Sequence, residues 1–125
     1  MGGIQLSDRI VVKSRFRDYS VTFTSQAVTD LGGLVRDGDV IIVDESVAQL
    51  NPNRLDRILA SHPTVRITAS ESAKDFDAIG GVIEQLLLFG FRKAGRLIVI
   101  GGGVTQDVAA FIATVIFRGV DWVFV

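Results

Sequence analysis

Three short segments carry groups suited to holding an anion and a sugar: Asp44-Glu45-Ser46, Ser70-Glu71-Ser72-Ala73-Lys74 and Gly101-Gly102-Gly103. The glycines follow the apolar run Leu97-Ile98-Val99-Ile100 and precede Val104-Thr105-Gln106-Asp107-Val108-Ala109-Ala110-Phe111. That is the pattern of a buried strand, a tight turn and the start of a helix. Three glycines remove every Cβ from the turn, so a ligand can approach the backbone closely. The amides that open the helix, together with its dipole, favour an anion there. Residues 101–104 therefore predict a phosphate or pyrophosphate site. A carboxylate at a strand end, such as Asp44, can accept hydrogen bonds from ribose hydroxyls. Glycine turn and acid together describe a dinucleotide site.

The spacing differs from the common Gly-x-Gly-x-x-Gly fingerprint. That pattern needs a glycine where Gln106 stands, and its ribose acid follows the glycines by about 20 residues, whereas Asp44 precedes them. The residues alone leave a second reading open, in which the glycines only let a strand and a helix pack closely. Glu71 and Asp107 also fit as acids favoured in a first helical turn, Lys74 as a solvated lysine at a helix start, and Thr105 as a helix-start residue. Arg118, directly before Gly119, suits a phosphate contact as well as the end of a helix. His62, the one histidine, reads as a surface loop residue.

Parallel sheets present ligands at the carboxyl ends of their strands, and the pattern supplies such strands. Val40-Ile41-Ile42-Val43 is a continuous apolar run suited to a central parallel strand. Val65-Arg66-Ile67-Thr68, Leu97–Ile100 and Trp122–Val125 predict three more. Asn51-Pro52 predicts an N-cap and first-position proline for a helix striped by Leu55, Ile58 and Leu59. Phe76, Ile79, Ile83, Leu86 and Leu87, with Phe91 beyond, have helical spacing. A further helix is expected over residues 104–117, with Val104, Val108, Phe111, Ile112 and Val115 on one face and apolar residues on the others. It is expected to be buried nearly all round, against the sheet and against something outside this chain. Upstream, Ile10-Val11-Val12 and the alternating Tyr19-Ser20-Val21-Thr22-Phe23-Thr24 predict a hairpin. Thr24 or Ser25 is expected to cap a short helix over residues 26–34 that Gly32-Gly33 would end. Strand and helix alternate from residue 40 onward, the signature of an α/β fold with a parallel sheet.

Composition excludes several classes. The chain has 125 residues, enough for one domain with one core. Thirteen basic against 14 acidic residues leave a net charge of −1, with no electrostatic footprint for nucleic acid. Cysteine is absent, which removes disulfides and thiolate metal sites. Mean hydropathy is high at +0.40, yet no apolar run approaches the length a membrane helix needs. The first residues form no apolar signal core, so a cytoplasmic protein is expected. The apolar ending Trp122-Val123-Phe124-Val125 predicts either the front part of a longer protein or a need for a partner surface.

Gly101-Gly102-Gly103-Val104-Thr105-Gln106-Asp107, with Phe111 and Phe117-Arg118-Gly119 after it, resembles a segment of the sugar-phosphate cyclases. These enzymes, of which 3-dehydroquinate synthase is the best known, carry Gly-Gly-Gly-Val-x-x-Asp followed by Arg-Gly. Asp44-Glu45-Ser46 and Glu71-Ser72-Ala73-Lys74 fall where the family has its two earlier nucleotide-binding segments. The resemblance implies a Rossmann-like three-layer α/β domain with a mostly parallel sheet, preceded by an N-terminal β-hairpin. Residues 1–125 would form a single N-terminal NAD-binding domain, without the C-terminal metal-binding catalytic domain.

Position by position, the resemblance implies Asp44, Glu45 and Ser46 along the adenosine ribose of NAD, with Glu71 and Lys74 contacting the nucleotide from the neighbouring loop. Gly102, Gly103 and Val104 would supply backbone to the pyrophosphate, and Asp107 would lie near the nicotinamide. Arg118 would reach a substrate phosphate across the interface of a homodimer. In the family an alcohol is transiently oxidised, phosphate is eliminated, the ketone is reduced again and an aldol step closes a carbocycle, with a divalent metal (zinc or cobalt) polarising the sugar phosphate.

Thr105-Gln106 replaces the Val/Ile-Gly pair common in dehydroquinate synthases. The chain also stops before the family's Pro-Thr-Thr segment, catalytic lysines and asparagine, and Glu/His/His metal ligands. The resemblance therefore implies a carbon–oxygen lyase as a whole protein and an inactive piece here; charge balance and the short apolar runs predict neither nucleic acid nor membrane as partner. Two other readings stand beside it: the front domain of a metal-dependent NAD alcohol or glycerol dehydrogenase, and a stand-alone nucleotide-binding module.

Overall fold

Val40-Ile41-Ile42-Val43 is apolar at every position because both of its faces are covered. The computed structural model describes residues 8–13, 19–23 and 28–125. In it β3 (Val40–Asp44) lies at the interior of a four-stranded sheet. The other strands are β4 (Thr64–Ile67), β5 (Arg96–Ile100) and β6 (Asp121–Phe124), in the order β4-β3-β5-β6 and parallel throughout. Val40, Ile42, Leu97 and Val99 face one layer of the core, and Ile41, Val43, Ile98 and Ile100 the other. Upstream, β1 (Asp8–Val12) and β2 (Tyr19–Phe23) pair antiparallel as a separate hairpin.

Helices cover both faces. On one side α1 (Leu31–Leu34), α2 (Glu45–Leu50) and α3 (Pro52–Ser61) bury Leu31, Ala48, Leu55 and Leu59. On the other, α4 (Phe76–Leu88) buries Val82 and Leu86, and α5 (Gly103–Val115) buries Val108, Ala109, Ile112 and Ala113. The fold is thus three-layer α/β with a parallel sheet and a preceding hairpin.

Several local expectations are corrected. Helix α1 contains Gly32 and Gly33 instead of ending at them; Thr24, Ser25 and the proposed helix start lie outside the described residues. Asp44-Glu45-Ser46 does more than end a strand, since it opens α2, which the sequence pattern missed. Asn51 precedes Pro52 as expected, but its side chain donates to the Val47 carbonyl (2.9 Å) and does not cap α3. Phe76 is 88% exposed, and Val82 takes the buried place on α4. Helix α5 ends at Val115, two residues early; within this chain the sheet covers one of its faces, and Phe111 and Val115 on another are about half exposed. Its buried stripe runs through Thr105, Val108, Ala109, Ile112 and Ala113, the i, i+3, i+4 pattern of a helix with one covered face.

Candidate functional site

The parallel register brings the strand ends together. Asp44 closes β3 and Gly101 follows β5, which pairs directly with β3. The acid and the glycine turn are therefore spatial neighbours although 57 residues separate them in the chain. A Cβ built on Gly101 would fall 2.9 Å from the Asp44 Cβ and 3.0 Å from the Thr105 Cβ, and Gly101 has φ +156°. Only glycine fits there, so Gly101 packs the end of β3 against the start of α5. At Gly102 and Gly103 an added Cβ meets nothing within 4 Å. The two halves of the glycine turn thus do different work, the first packing and the second leaving open space.

Asp44 is buried, and its Oδ1 accepts from the backbone N–H of Ser46 (2.9 Å) and from the Ser46 hydroxyl (2.7 Å). This is an N-cap for α2, and it fixes the carboxylate's orientation. Asp44 Oδ2 accepts no hydrogen bond among the described residues. Glu45 pairs with Arg66 on β4 at 3.3 Å. The amides of Gly102, Gly103 and Val104 likewise have no hydrogen-bond partner among the described residues, as expected of the first donors of a helix. Turn room, free donors and a fixed acceptor fit a diphosphate and a ribose. Gln106 holds the turn from inside: its amide N–H bonds the Gly102 carbonyl (2.9 Å) and its Nε2 donates to the Gly101 carbonyl (3.1 Å). Thr105 is more than a helix-start residue, because its side chain is fully buried and its hydroxyl has no hydrogen-bond partner among the described residues.

The segment Glu71-Ser72-Ala73-Lys74 forms a 3-10 turn between β4 and α4. From it Lys74 Nζ reaches Asp107 on α5 at 3.2 Å and Glu71 at 3.8 Å. The hydrogen bond to Asp107 and the charges of Glu71 and Asp107 push the Lys74 ammonium's pKa above its ordinary value. Second and third segments are thereby joined. Beside them lies a cleft of about 360 Å³ lined by Lys74, Phe76, Ile79, Asp107, Val108 and Phe111. Phe76 and Phe111, whose helical spacing marks them as apolar-face residues, both line this cleft. Its apolar walls and single ion pair can seat a flat ring with one polar edge.

Arg118 stands apart. Helix α5 carries the chain back along the sheet for about 20 Å, and Arg118 follows it, exposed, before β6 begins. It therefore lies at the opposite end of the strands from the glycine turn. Phe117 and Arg118 both have left-handed backbones (φ 49° and 62°), and the Lys93 ammonium donates to the Gly119 carbonyl. Among the described residues no three His, Cys, Asp or Glu side chains cluster to hold a metal, and no helix is long and apolar enough to cross a membrane.

Residues 64–125 match the family model of the 3-dehydroquinate synthase N-terminal domain. A 3-dehydroquinate synthase from Staphylococcus carnosus is 32% identical over 114 residues, which cover 85% of this chain and 32% of that protein. One from Listeria innocua is 31% identical over 122 residues, covering 90% of this chain and 33% of the relative. The chain belongs to the 3-dehydroquinate synthase-like sugar-phosphate cyclases. It spans about a third of the length of the curated cyclases it matches. Among solved structures, a 2-deoxy-scyllo-inosose synthase, complexed with carbaglucose-6-phosphate, NAD+ and Co2+, superposes with a TM-score of 0.75 at 19% identity, covering 94% of this chain and 35% of that one; this likeness concerns the fold. A 2-epi-5-epi-valiolone synthase from Streptomyces hygroscopicus, solved with NAD+ and Zn2+ bound, has a TM-score of 0.58 at 28% identity, covering 69% of this chain and 25% of that one.

Proposed function

We propose that this cyclase-family chain is an NAD-binding domain of a 3-dehydroquinate synthase-like enzyme that closes a sugar phosphate into a carbocycle. The observation that carries the reading is the meeting of Asp44 with the glycine turn across β3 and β5. Asp44 Oδ2, with Glu45 and Ser46 beside it, accepts the hydroxyls of the adenosine ribose. The amides of Gly102, Gly103 and Val104 hold the pyrophosphate, because their donors are free and the turn is open. Glu71 and Lys74 orient the nucleotide from the 3-10 turn, and Asp107, fixed by Lys74, lies on the nicotinamide side. The cleft between Phe76 and Phe111 keeps water from that side. When bound, NAD supplies a transient oxidation of the substrate alcohol and returns the hydride. Arg118, far from this shelf within one chain, contacts a substrate phosphate in the site of a second copy, which makes the working form a homodimer. Among the described residues no three His, Cys, Asp or Glu side chains cluster to hold a metal, which supports a reading in which the 125-residue chain alone turns over no substrate and the whole protein is a cytoplasmic lyase.

Gly102→Val tests the shelf. Gly102 has φ −93° and ψ −160°, and its Cβ position is empty, so valine should be accepted with little change in thermal midpoint. NADH titration should show binding to the unsubstituted chain and none to Gly102→Val. Equal affinity in the two would overturn the reading.

A further inference from the structure

We propose that Gln106 is a positioning residue of the glycine turn: its side-chain amide fixes the Gly101–Gly102 peptide plane so that the Gly102 N–H faces the anion. The inference rests on the nucleotide reading above and deepens it. A peptide unit is planar and trans, so its carbonyl and its N–H point in opposite directions. Holding the one aims the other. The Gly101–Gly102 unit is flanked by two residues without a Cβ, and such a unit can turn over at little steric cost. Turned over, it would direct the Gly101 carbonyl oxygen at the anion and take the Gly102 N–H away from it.

Packing alone does not choose the plane. Asp44 and Thr105 wedge Gly101 on its Cβ side, at 2.9 and 3.0 Å from where a Cβ would stand, which fixes where the residue sits. The buried Thr105 hydroxyl beside it makes no hydrogen bond among the described residues. Gln106 supplies the hold. Its Nε2 donates to the Gly101 carbonyl at 3.1 Å, and its backbone N–H donates to the Gly102 carbonyl at 2.9 Å. One residue therefore sets two successive peptide planes. The N–H groups of those planes belong to Gly102 and Gly103, which are exposed and have no backbone partner among the described residues. The second bond is made by the backbone, and any residue but proline would make it. The first needs this side chain, and a glycine here, as in the common fingerprint, would leave that plane unheld.

Gln106→Met keeps the length of the side chain and removes the donor. Fluorescence titration should show NADH bound about tenfold more weakly than by the unsubstituted chain, the size of one lost hydrogen bond. Nitrogen-15 NMR of the free chains reads the cause: one Gly102 amide environment in the unsubstituted chain, and a second, turned-over one in Gln106→Met. Only the unturned form binds, so the fold-loss in affinity should match the fall in its population. Gln106→Ala, also without the donor and favourable in a helix, should show the same two changes. Circular dichroism melting establishes that each variant is folded. NADH affinity unchanged in both variants, or weakened while the Gly102 amide keeps one environment, overturns the proposal and leaves the nucleotide reading intact. An unsubstituted chain that binds no NADH overturns the nucleotide reading, and this proposal with it.

Discussion

The amino and carboxyl ends of the parallel sheet treat their charges in opposite ways. At the amino end Asp39 is almost fully buried, and both of its oxygens are taken. They accept from the backbone N–H groups of Arg36 (2.9 Å) and Arg96 (3.0 Å), and from the Arg96 guanidinium, whose Nη2 lies at 2.7 Å. The same Nη2 also donates to the Leu34 carbonyl at 2.7 Å. Burial pushes the Asp39 carboxyl up, but the Arg96 hydrogen bonds, the two amides and the Arg96 charge outweigh it, so its pKa lies below the ordinary value. At the carboxyl end Asp44 keeps a free oxygen, the glycine-turn amides are unpartnered and Lys74 sits in the open. A closed network of this kind holds a fold together. An incomplete one, arranged around a space, is arranged for something else.

Breaking the closed end should cost most. Arg96→Ala leaves Asp39 buried without its charge partner, which is expected to destabilise by about 3–5 kcal/mol, read from urea unfolding. The sign of the pH effect follows from the lowered pKa. The stabilisation is in place above the ordinary carboxylate range and is lost as pH falls through the lowered value, so Arg96→Ala should flatten the acid limb of the stability profile. Unchanged unfolding in the variant would mean that the two ends do not differ as described.

Gly101 is where the contrast sharpens, because it belongs to the carboxyl end yet is closed in. Gly101→Ala sets a methyl against Asp44 and Thr105 and should cost about 1–3 kcal/mol, a loss visible as a lowered thermal midpoint. Two residues on, Gly103→Ala should leave the midpoint nearly unchanged, since its Cβ position is open. The smallest effect on stability belongs to Lys74→Met. Exposed ion pairs contribute little to folding, so its unfolding midpoint should match the unsubstituted chain while NADH affinity falls several-fold. A large loss of stability would reassign Lys74 to the framework.

Much of this was legible in the residues. The apolar run of residues 40–43 announced a strand covered on both faces, and Pro52 placed the start of α3. The three polar segments were recognisable as strand-end groups because each follows a strand-like run. Other features were hidden for physical reasons. Helix α2 is six residues long with one buried side chain, Ala48, too short for any periodicity to register. The exposed side of α5 carries Phe111 and Val115, so composition alone could not tell its covered face from its open one. The Asp39–Arg96 network joins residues far apart in the chain, and only the sheet brings them together. Arg66 looked like one polar residue in a strand until Glu45, across the β3–β4 edge, gave it a partner.

The adjacency of β3 and β5 has a consequence for how such sites are found. Counted along the chain, the acid comes first and the glycine turn second. Counted across the sheet, they are next-door neighbours, as they would be if the polypeptide were cut elsewhere and its ends rejoined. A ligand lying over two strand ends meets a surface and is indifferent to the order in which that surface was threaded. A pattern written as a one-way spacing of letters passes over this chain. A pattern written as which strand borders which, and what stands at each rim, is unaffected by the permutation.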